Sequence, residues 1–184
     1  MPAPVVLILA AGRGERFLTS GGSTHKLAAQ LNGKPVLEHV LEAVENAKLK
    51  WHLVCPEGGT RGMGESISLG IHATPEAPGW LILPADLPLI QPSSLQRVAA
   101  ELEENSIVVP HYQRNPGHPV GFWHKYRAEL SALSGNMGAK EIVRRARQRG
   151  EVKDIFLSDY GITHDIDTLA DLQAAQRLID LSHA

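Results

Sequence analysis

The sequence predicts an α/β fold: a three-layer α/β/α sandwich with a mainly parallel, Rossmann-like sheet between two sets of helices. Short aliphatic or β-branched runs, at Val5 to Leu9, Trp51 to Cys55, Trp80 to Leu83, Ile107 to Val109, Val120 to Phe122 and Ile155 to Leu157, alternate with amphipathic segments of helical period. Several of these runs are almost continuously apolar, which suits strands covered on both faces. The 184 residues suffice for one domain with a substantial core but hardly for two, so residues 1–184 are read as a single domain.

Val5 to Leu9 is the first strand, and a glycine-rich, basic loop follows it. PVLEHVLEAVENA then places Pro35 at a helix start and repeats apolar residues at Val36, Leu37, Val40, Leu41 and Val44, with a Glu-rich opposite face. Further helices are expected near 65–73, 93–104, 124–133, 138–149 and 169–181. Asp167 or Thr168 introduces the last one, and Asp167 is the more obvious cap. There are no repeats, low-complexity tracts or linkers.

A formal net charge of −2 and a pI near 6.5 argue against a nucleic-acid or polyanion binder and favour a small-molecule partner. Cys55 is the single cysteine, so it has no intramolecular disulfide partner and no companion for a thiolate metal site. That fits a reducing compartment, and the expected location is cytoplasmic. MPAPVVLILAA lacks a basic segment before its apolar run, and no other apolar stretch approaches spanning length, so neither targeting nor membrane insertion is expected.

Three constellations carry chemistry. In LAAGRGERFLTSGGSTHKL, the backbone of Leu9, Ala10, Ala11, Gly12, Arg13 and Gly14 can approach a ligand closely and donate amides to phosphate oxygens, while Arg13, Arg16 and Lys26 neutralise charge. The competing reading is a solvated βα turn. A dinucleotide fingerprint fails because Phe17 stands where a third small residue is needed, and a Walker A loop fails because Gly33-Lys34 is followed by Pro35. The second constellation is Asp86 in WLILPADLPLI, placed at a strand end where one carboxylate and substrate phosphates can share Mg²⁺; its alternative is to cap a helix beginning near Pro92. The third is HDIDTLADL, where Asp165 and Asp167 alternate along extended chain and face opposite ways, one toward a site and the other toward the helix cap.

Ser66 in GMGESISLG is a candidate for contacting a base or capping its helix. The histidines are scattered without metal-ligand spacing, and only His118, between Gly117 and Pro119, is retained. Lys140, Arg144, Arg145, Arg147 and Arg149 make a basic helix whose plain reading is a solvated face and whose functional reading is contact with an acceptor phosphate or a partner.

LAAGRGERF followed by a lysine, then GKPVLEHVLEAV, GMGESISLG, LPADLPLI, NPGHPVGF, GNMGAKEIV and DIDTLADL, resemble in that order the nucleotidyltransferase family with a molybdenum-cofactor-guanylyltransferase-like fold, and within it the molybdenum cofactor cytidylyltransferase branch. The resemblance covers nearly the whole chain. It implies the nucleotide-diphospho-sugar transferase fold, a first loop wrapped around a nucleoside triphosphate, phosphate contacts from Arg16 and Lys26, and Mg²⁺ on Asp86. It further implies metal or substrate contacts from Asp165 and Asp167, the former assigned to the metal and the latter to the acceptor, with His118 also on the acceptor side.

CTP is the implied nucleotide, because the guanylyl branch has a second glycine where Ala11 stands. The implied acceptor is a phosphorylated small molecule of the molybdopterin class, and the implied recipient is a molybdoenzyme. The chain departs from the family in a longer stretch between Arg16 and Lys26 and in having room for only one strand between Ala47 and GMGES, one βα unit fewer than usual. Two other readings stay open: a sugar- or alcohol-phosphate nucleotidyltransferase, and a non-catalytic nucleotide- or cofactor-binding accessory protein. In the favoured reading an acceptor phosphate attacks the α-phosphorus and pyrophosphate leaves. Positioning and charge neutralisation then suffice, and no general base is needed.

Overall fold

A computed structural model describes residues 2–12, 15–22 and 25–183. In chain order the elements are β1 (Val5–Leu9), α1 (Glu15–Thr19), β2 (Gln30–Leu31), β3 (Lys34–Pro35), α2 (Val36–Asn46), β4 (Trp51–Val54), α3 (Met63–Ala73), β5 (Gly79–Pro84) and α4 (Pro92–Leu102). They continue with β6 (Ile107–Tyr112), β7 (Asn115–Pro116), β8 (Val120–Trp123), α5 (Arg127–Ser131), α6 (Lys140–Gln148), β9 (Val152–Leu157) and α7 (Leu169–Ser182).

Along β1, Val6 and Ile8 join one core while Leu7 joins the other, and all three are fully buried. Strand alternation thus builds two cores from one apolar run. Val40, Val44, Leu95 and Val98 bring α2 and α4 onto the first face; Ile67, Ile71, Leu130 and Ile142 bring α3, α5 and α6 onto the second. Helix α3 lies so close that a Cβ at Gly70 would stand 2.9 Å from a Leu7 methyl.

The sheet order is β4-β1-β5-β8-β6, with β9 and the short β7 both paired to β6. Pairings of β1 with β4 and β5, and of β6 with β9, are parallel. β8 runs against both β5 and β6, so the Val120 to Phe122 run is the reversed strand of a mainly parallel sheet. The reversal starts at the β6-β7 hairpin, where Tyr112 pairs with Asn115 across a tight turn and Gln113 takes a positive φ of 57°. Between α2 and α3 there is only β4, at one edge of the sheet. The chain leaves β1 for β4 on one side and then crosses to β5 on the other. This reversal of strand order opens a crevice at the carboxyl ends of all three strands.

Two end caps differ from the sequence reading. Thr168, not Asp167, caps α7: its hydroxyl accepts from the Asp171 amide while the Asp171 carboxylate accepts from the Thr168 amide, a reciprocal capping box. Asp86 does not serve α4 either. The acid at that helix start is Asp159, 3% exposed, which accepts from the Gln91 amide at 2.9 Å, the Ser94 hydroxyl at 2.7 Å and the Gly161 amide at 2.8 Å. Sequence spacing hides this cap because it reaches across the fold. No helix among the described residues is long and apolar enough to cross a membrane.

Asp159→Ala strands two buried amides and a hydroxyl, each losing a charge-assisted partner. Equilibrium urea unfolding is expected to show a loss of about 3 kcal/mol, with Asp159→Asn recovering part of it.

Candidate active site

The crevice at the switch point holds a cavity of about 640 Å³. Its floor is the chain leaving β1, residues Leu9, Ala10, Ala11 and Gly12. This segment is held straight by its neighbours: the Ala10 amide donates to the Val54 carbonyl and the Ala85 amide to the Leu9 carbonyl, both at 3.0 Å. A Cβ at Gly12 would meet no protein atom within 4 Å, so the cavity side of this loop is open backbone. Arg13 and Gly14, two of the expected phosphate contacts, lie outside the described residues, as does the Arg16 side chain.

Lys26 returns the loop to the cavity and forms an ion pair with Asp86 at 3.0 Å; the two side chains are 15% and 19% exposed. His25 closes the loop. Its Nδ1 accepts from the Leu27 amide, which leaves Nε2 to carry the ring proton and donate to the Gly12 carbonyl at 2.7 Å. Asp86 follows β5 through Pro84 and Ala85, and its carbonyl accepts from the Ile166 amide at 2.8 Å. That bond seats the segment carrying Asp165 and Asp167, with Ile166 buried between them.

A second cavity of about 290 Å³ adjoins the first and shares Met63, Pro84 and Asp86 with it. Here the structure sorts the late aspartates: Asp165 lines the smaller cavity with His118 and Asp86, whereas Asp167 lines the larger one with Lys26. Asp165 and His118, assigned from the sequence to metal and acceptor, therefore share a cavity, and Asp167 stands apart from His118. Opposite-facing side chains on extended backbone explain the division. Burial and the neighbouring charge of Asp86 push the Asp165 carboxyl up from the usual carboxylate range.

His118 is positioned by close backbone contact. Its amide donates to the Ile162 carbonyl at 2.9 Å, and a Cβ at Gly117 would lie 2.5 Å from that same oxygen. Burial lowers the His118 imidazole below its usual range, against Asp165, which raises it; Nδ1 is buried with no hydrogen-bond partner among the described residues.

The far wall was not foreseen as a unit. Thr60, Arg61 and Gly62 precede α3, and Asn136 precedes α6. A Cβ at Gly64 would fall 2.3 Å from the Met137 carbonyl, and the Glu65 amide donates to the Gly135 carbonyl at 3.2 Å. The glycines of GMGES thus let the 134–137 loop lie against the helix start. Ser66 lines the cavity but is 4% exposed, with its hydroxyl bonded to that of Thr60 at 2.6 Å and donating to the Gly62 carbonyl at 3.1 Å. Ser68 donates to the Ser131 carbonyl instead and ties α3 to α5. The basic helix is neutralised by carboxylates: Arg144 pairs with Glu141, Arg145 with Glu129 and Arg147 with Asp154, while Arg149, just beyond it, pairs with Glu151.

No group of three or more His, Cys, Asp or Glu side chains among the described residues is arranged to hold a metal by itself. Mg²⁺ does not require one, since one or two carboxylates and substrate phosphate oxygens complete its shell. Asp86 and Asp165 fit that demand: two carboxyls line one cavity, and the charge of the first disfavours ionisation of the second.

Residues 6–152 match the MobA-like NTP transferase domain. The chain belongs to that family. Its members are nucleotidyltransferases, and the cleft described above is built from the matched span together with the late aspartate segment. The bifunctional protein GlmU of Legionella pneumophila is 28% identical over 135 residues, covering 62% of this chain and 27% of that protein. A stretch of 26 residues is 88% identical to the putative LysR family substrate binding domain-containing protein YagP of Escherichia coli, 14% of this chain and 19% of that one.

The chain thus spans well under half the length of these curated relatives. Among solved structures, Rv0371c of Mycobacterium tuberculosis superposes with a TM-score of 0.75 at 21% identity, covering 96% of this chain and 98% of that one. The same mycobacterial protein is also known as a complex with manganese, at 20% identity and a TM-score of 0.72 over 95% and 98% of the two chains. The 4-diphosphocytidyl-2C-methyl-D-erythritol synthase of Anaerococcus prevotii superposes at 0.73 with 16% identity, over 97% and 99%. At these identities the likeness is one of fold.

The direction of the His118 shift sets a pH dependence. An unfolded histidine titrates near 6.5, and burial holds the folded group below that value. Between the two values the unfolded chain binds more protons, so stability is full above pH ~6.5 and falls as pH drops through the window below it. Urea midpoints measured from pH 8 to pH 5 are expected to fall less steeply in His118→Gln than in the wild type.

Proposed function

We propose that this chain is a Mg²⁺-dependent nucleotidyltransferase that transfers CMP from CTP to a phosphorylated acceptor of the molybdopterin class and releases pyrophosphate. The observation that carries this reading is Asp86, ion-paired to Lys26 and common to two adjoining cavities, one large enough for a nucleoside triphosphate and the other smaller. One reactant on each side of a shared carboxylate is the arrangement that phosphoryl transfer between two anions requires. The manganese complex of the mycobacterial structural relative supports a hard divalent cation, and the diphosphocytidyl synthase supports a cytidine nucleotide.

In this reading the backbone of Leu9 to Gly14 faces the triphosphate, with Arg16 and Lys26 balancing its charge. Asp86 and Asp165 hold Mg²⁺, which when bound neutralises phosphate oxygens of both reactants. Asp167 acts on the nucleotide side. His118, kept neutral by burial, orients the acceptor without adding charge to a cavity that must admit a phosphate.

An acceptor phosphate oxygen forms the new bond to the α-phosphorus, the bond from that phosphorus to its bridging oxygen breaks, and pyrophosphate leaves with the electron pair. No side chain removes a proton, because the attacking oxygen is already ionised. Lys26 stays beside the phosphates throughout and stabilises the charge that gathers on the leaving group. A finished nucleotide-bearing cofactor would pass to a molybdoenzyme.

Pyrophosphate release dependent on Mg²⁺, with CTP and molybdopterin, is the decisive assay; release with a sugar phosphate and none with molybdopterin reassigns the acceptor. Asp86→Asn is expected to lower turnover by about 10²–10³-fold with the fold retained, as judged by far-UV circular dichroism. Lys26→Ala is expected to weaken CTP binding by about 1.5–3 kcal/mol in calorimetry, the value of a charge-assisted contact. Wild-type turnover in Asp86→Asn would remove the metal assignment.

A further inference from the structure

We infer that Arg61 reads the nucleobase, and that the base it accepts is one presenting two adjacent hydrogen-bond acceptors, cytosine through O2 and N3 or guanine through O6 and N7. This inference rests on the nucleotidyltransferase reading and extends it to the choice of nucleotide.

Four observations place the residue. Arg61 lines the larger cavity, is exposed, and its guanidinium has no carboxylate partner among the described residues, whereas the arginines of α6 are each paired. Its loop is built to hold still: the Arg61 amide donates to the Glu65 carboxylate at 2.6 Å and the Thr60 hydroxyl bonds that of Ser66 at 2.6 Å. Gly58 and Gly59 have φ values of 80° and 75°, and a Cβ at Gly59 would stand 3.1 Å from the Ala11 carbonyl, so the loop lies directly on the floor of the cavity.

The fourth observation is the position of Arg61 in the sheet. Asp86 follows β5 and Arg61 follows β4, with β1 between them. Two strand spacings are about 10 Å. With the reacting phosphorus at Asp86, the loop after β1 and Lys26 face the phosphates and ribose, and the end of the nucleotide beyond them reaches Arg61. That end of the cavity carries two hydroxyls, the apolar Leu9 and Met63, and the single guanidinium of Arg61. Such a lining suits the edge of a flat heterocycle better than two further phosphates. A planar guanidinium offers parallel N–H donors, which match paired acceptors and clash with the donor that adenine or uracil places beside its acceptor.

The test is calorimetric binding, in Mg²⁺, of CTP, GTP, UTP, ATP and inorganic tripolyphosphate to the wild type, Arg61→Gln and Arg61→Lys. Wild type is expected to bind CTP or GTP more tightly than UTP and ATP. Arg61→Gln should weaken the preferred nucleotide roughly tenfold or more and erase the preference, Arg61→Lys should restore little of it, and tripolyphosphate should bind all three proteins alike. Equal weakening of tripolyphosphate would make Arg61 a phosphate ligand and overturn the inference, as would unchanged CTP and GTP binding in Arg61→Gln. Absence of binding of every triphosphate to the wild type overturns the nucleotidyltransferase reading itself, and so is distinct from failure at Arg61 alone.

Discussion

β1 is buried on both faces and hydrogen-bonded on both edges, and the candidate site depends on that confinement. A strand so enclosed has no freedom to shift register, because a slip of one residue would move Val6 and Ile8 out of one core and Leu7 out of the other. Its carboxyl end is therefore a fixed point. Bonds from the Ala10 amide to β4 and from the Ala85 amide back to Leu9 carry the rigidity past the strand into the loop that floors the cleft. The loop can then present backbone rather than side chains to a ligand while its neighbours absorb the strain of an irregular path.

The remaining walls are brought in by close backbone contacts that only glycine permits. Gly62 and Gly64 let the 134–137 loop settle on the start of α3; Gly117 and Gly161 let the segment before His118 and the turn at 160–162 press against their neighbours. At Gly161 a Cβ would stand 2.2 Å from the Leu89 carbonyl. Asp159 locks this second region by accepting bonds from the α4 start and from Gly161 at once. Residues as distant in sequence as Asp86, His118 and Asp165 consequently meet around one cavity without bonding to one another.

The electrostatics of that cavity work against the resting fold. Asp165 is held where burial and a second carboxylate oppose its charge, and His118 is buried with an unsatisfied nitrogen. Neither arrangement stabilises the protein alone. Each becomes favourable only with a cation between the carboxyls and a hydrogen-bonding ligand beside the ring, which is the usual signature of groups retained for binding. Lys26 and Asp86 differ: their ion pair is satisfied as it stands, so opening it for substrate exchanges one set of charge contacts for another.

The sequence by itself determined the α/β class, the strand and helix runs, the phosphate-facing loop and the isolated importance of Asp86, because hydrophobic period and loop chemistry are local properties. Arg16, Lys26 and Asp86 were legible as charges placed beside strand ends. The reversed direction of β8, the short elements α1, β2, β3 and β7, and the capping of α7 by Thr168 lay beyond that reading. So did the division of Asp165 from Asp167 between two cavities, the cap from Asp159, and the wall formed by Thr60, Arg61 and Asn136. All but the short elements and the α7 cap depend on partners far away in the chain: β8 is placed by pairing with two other strands, Asp159 bonds across 68 residues to Gln91, and the Arg61 loop rests on Ala11. Only the tertiary structure decides such contacts, since no residue carries in its own neighbourhood the position of the group it will meet.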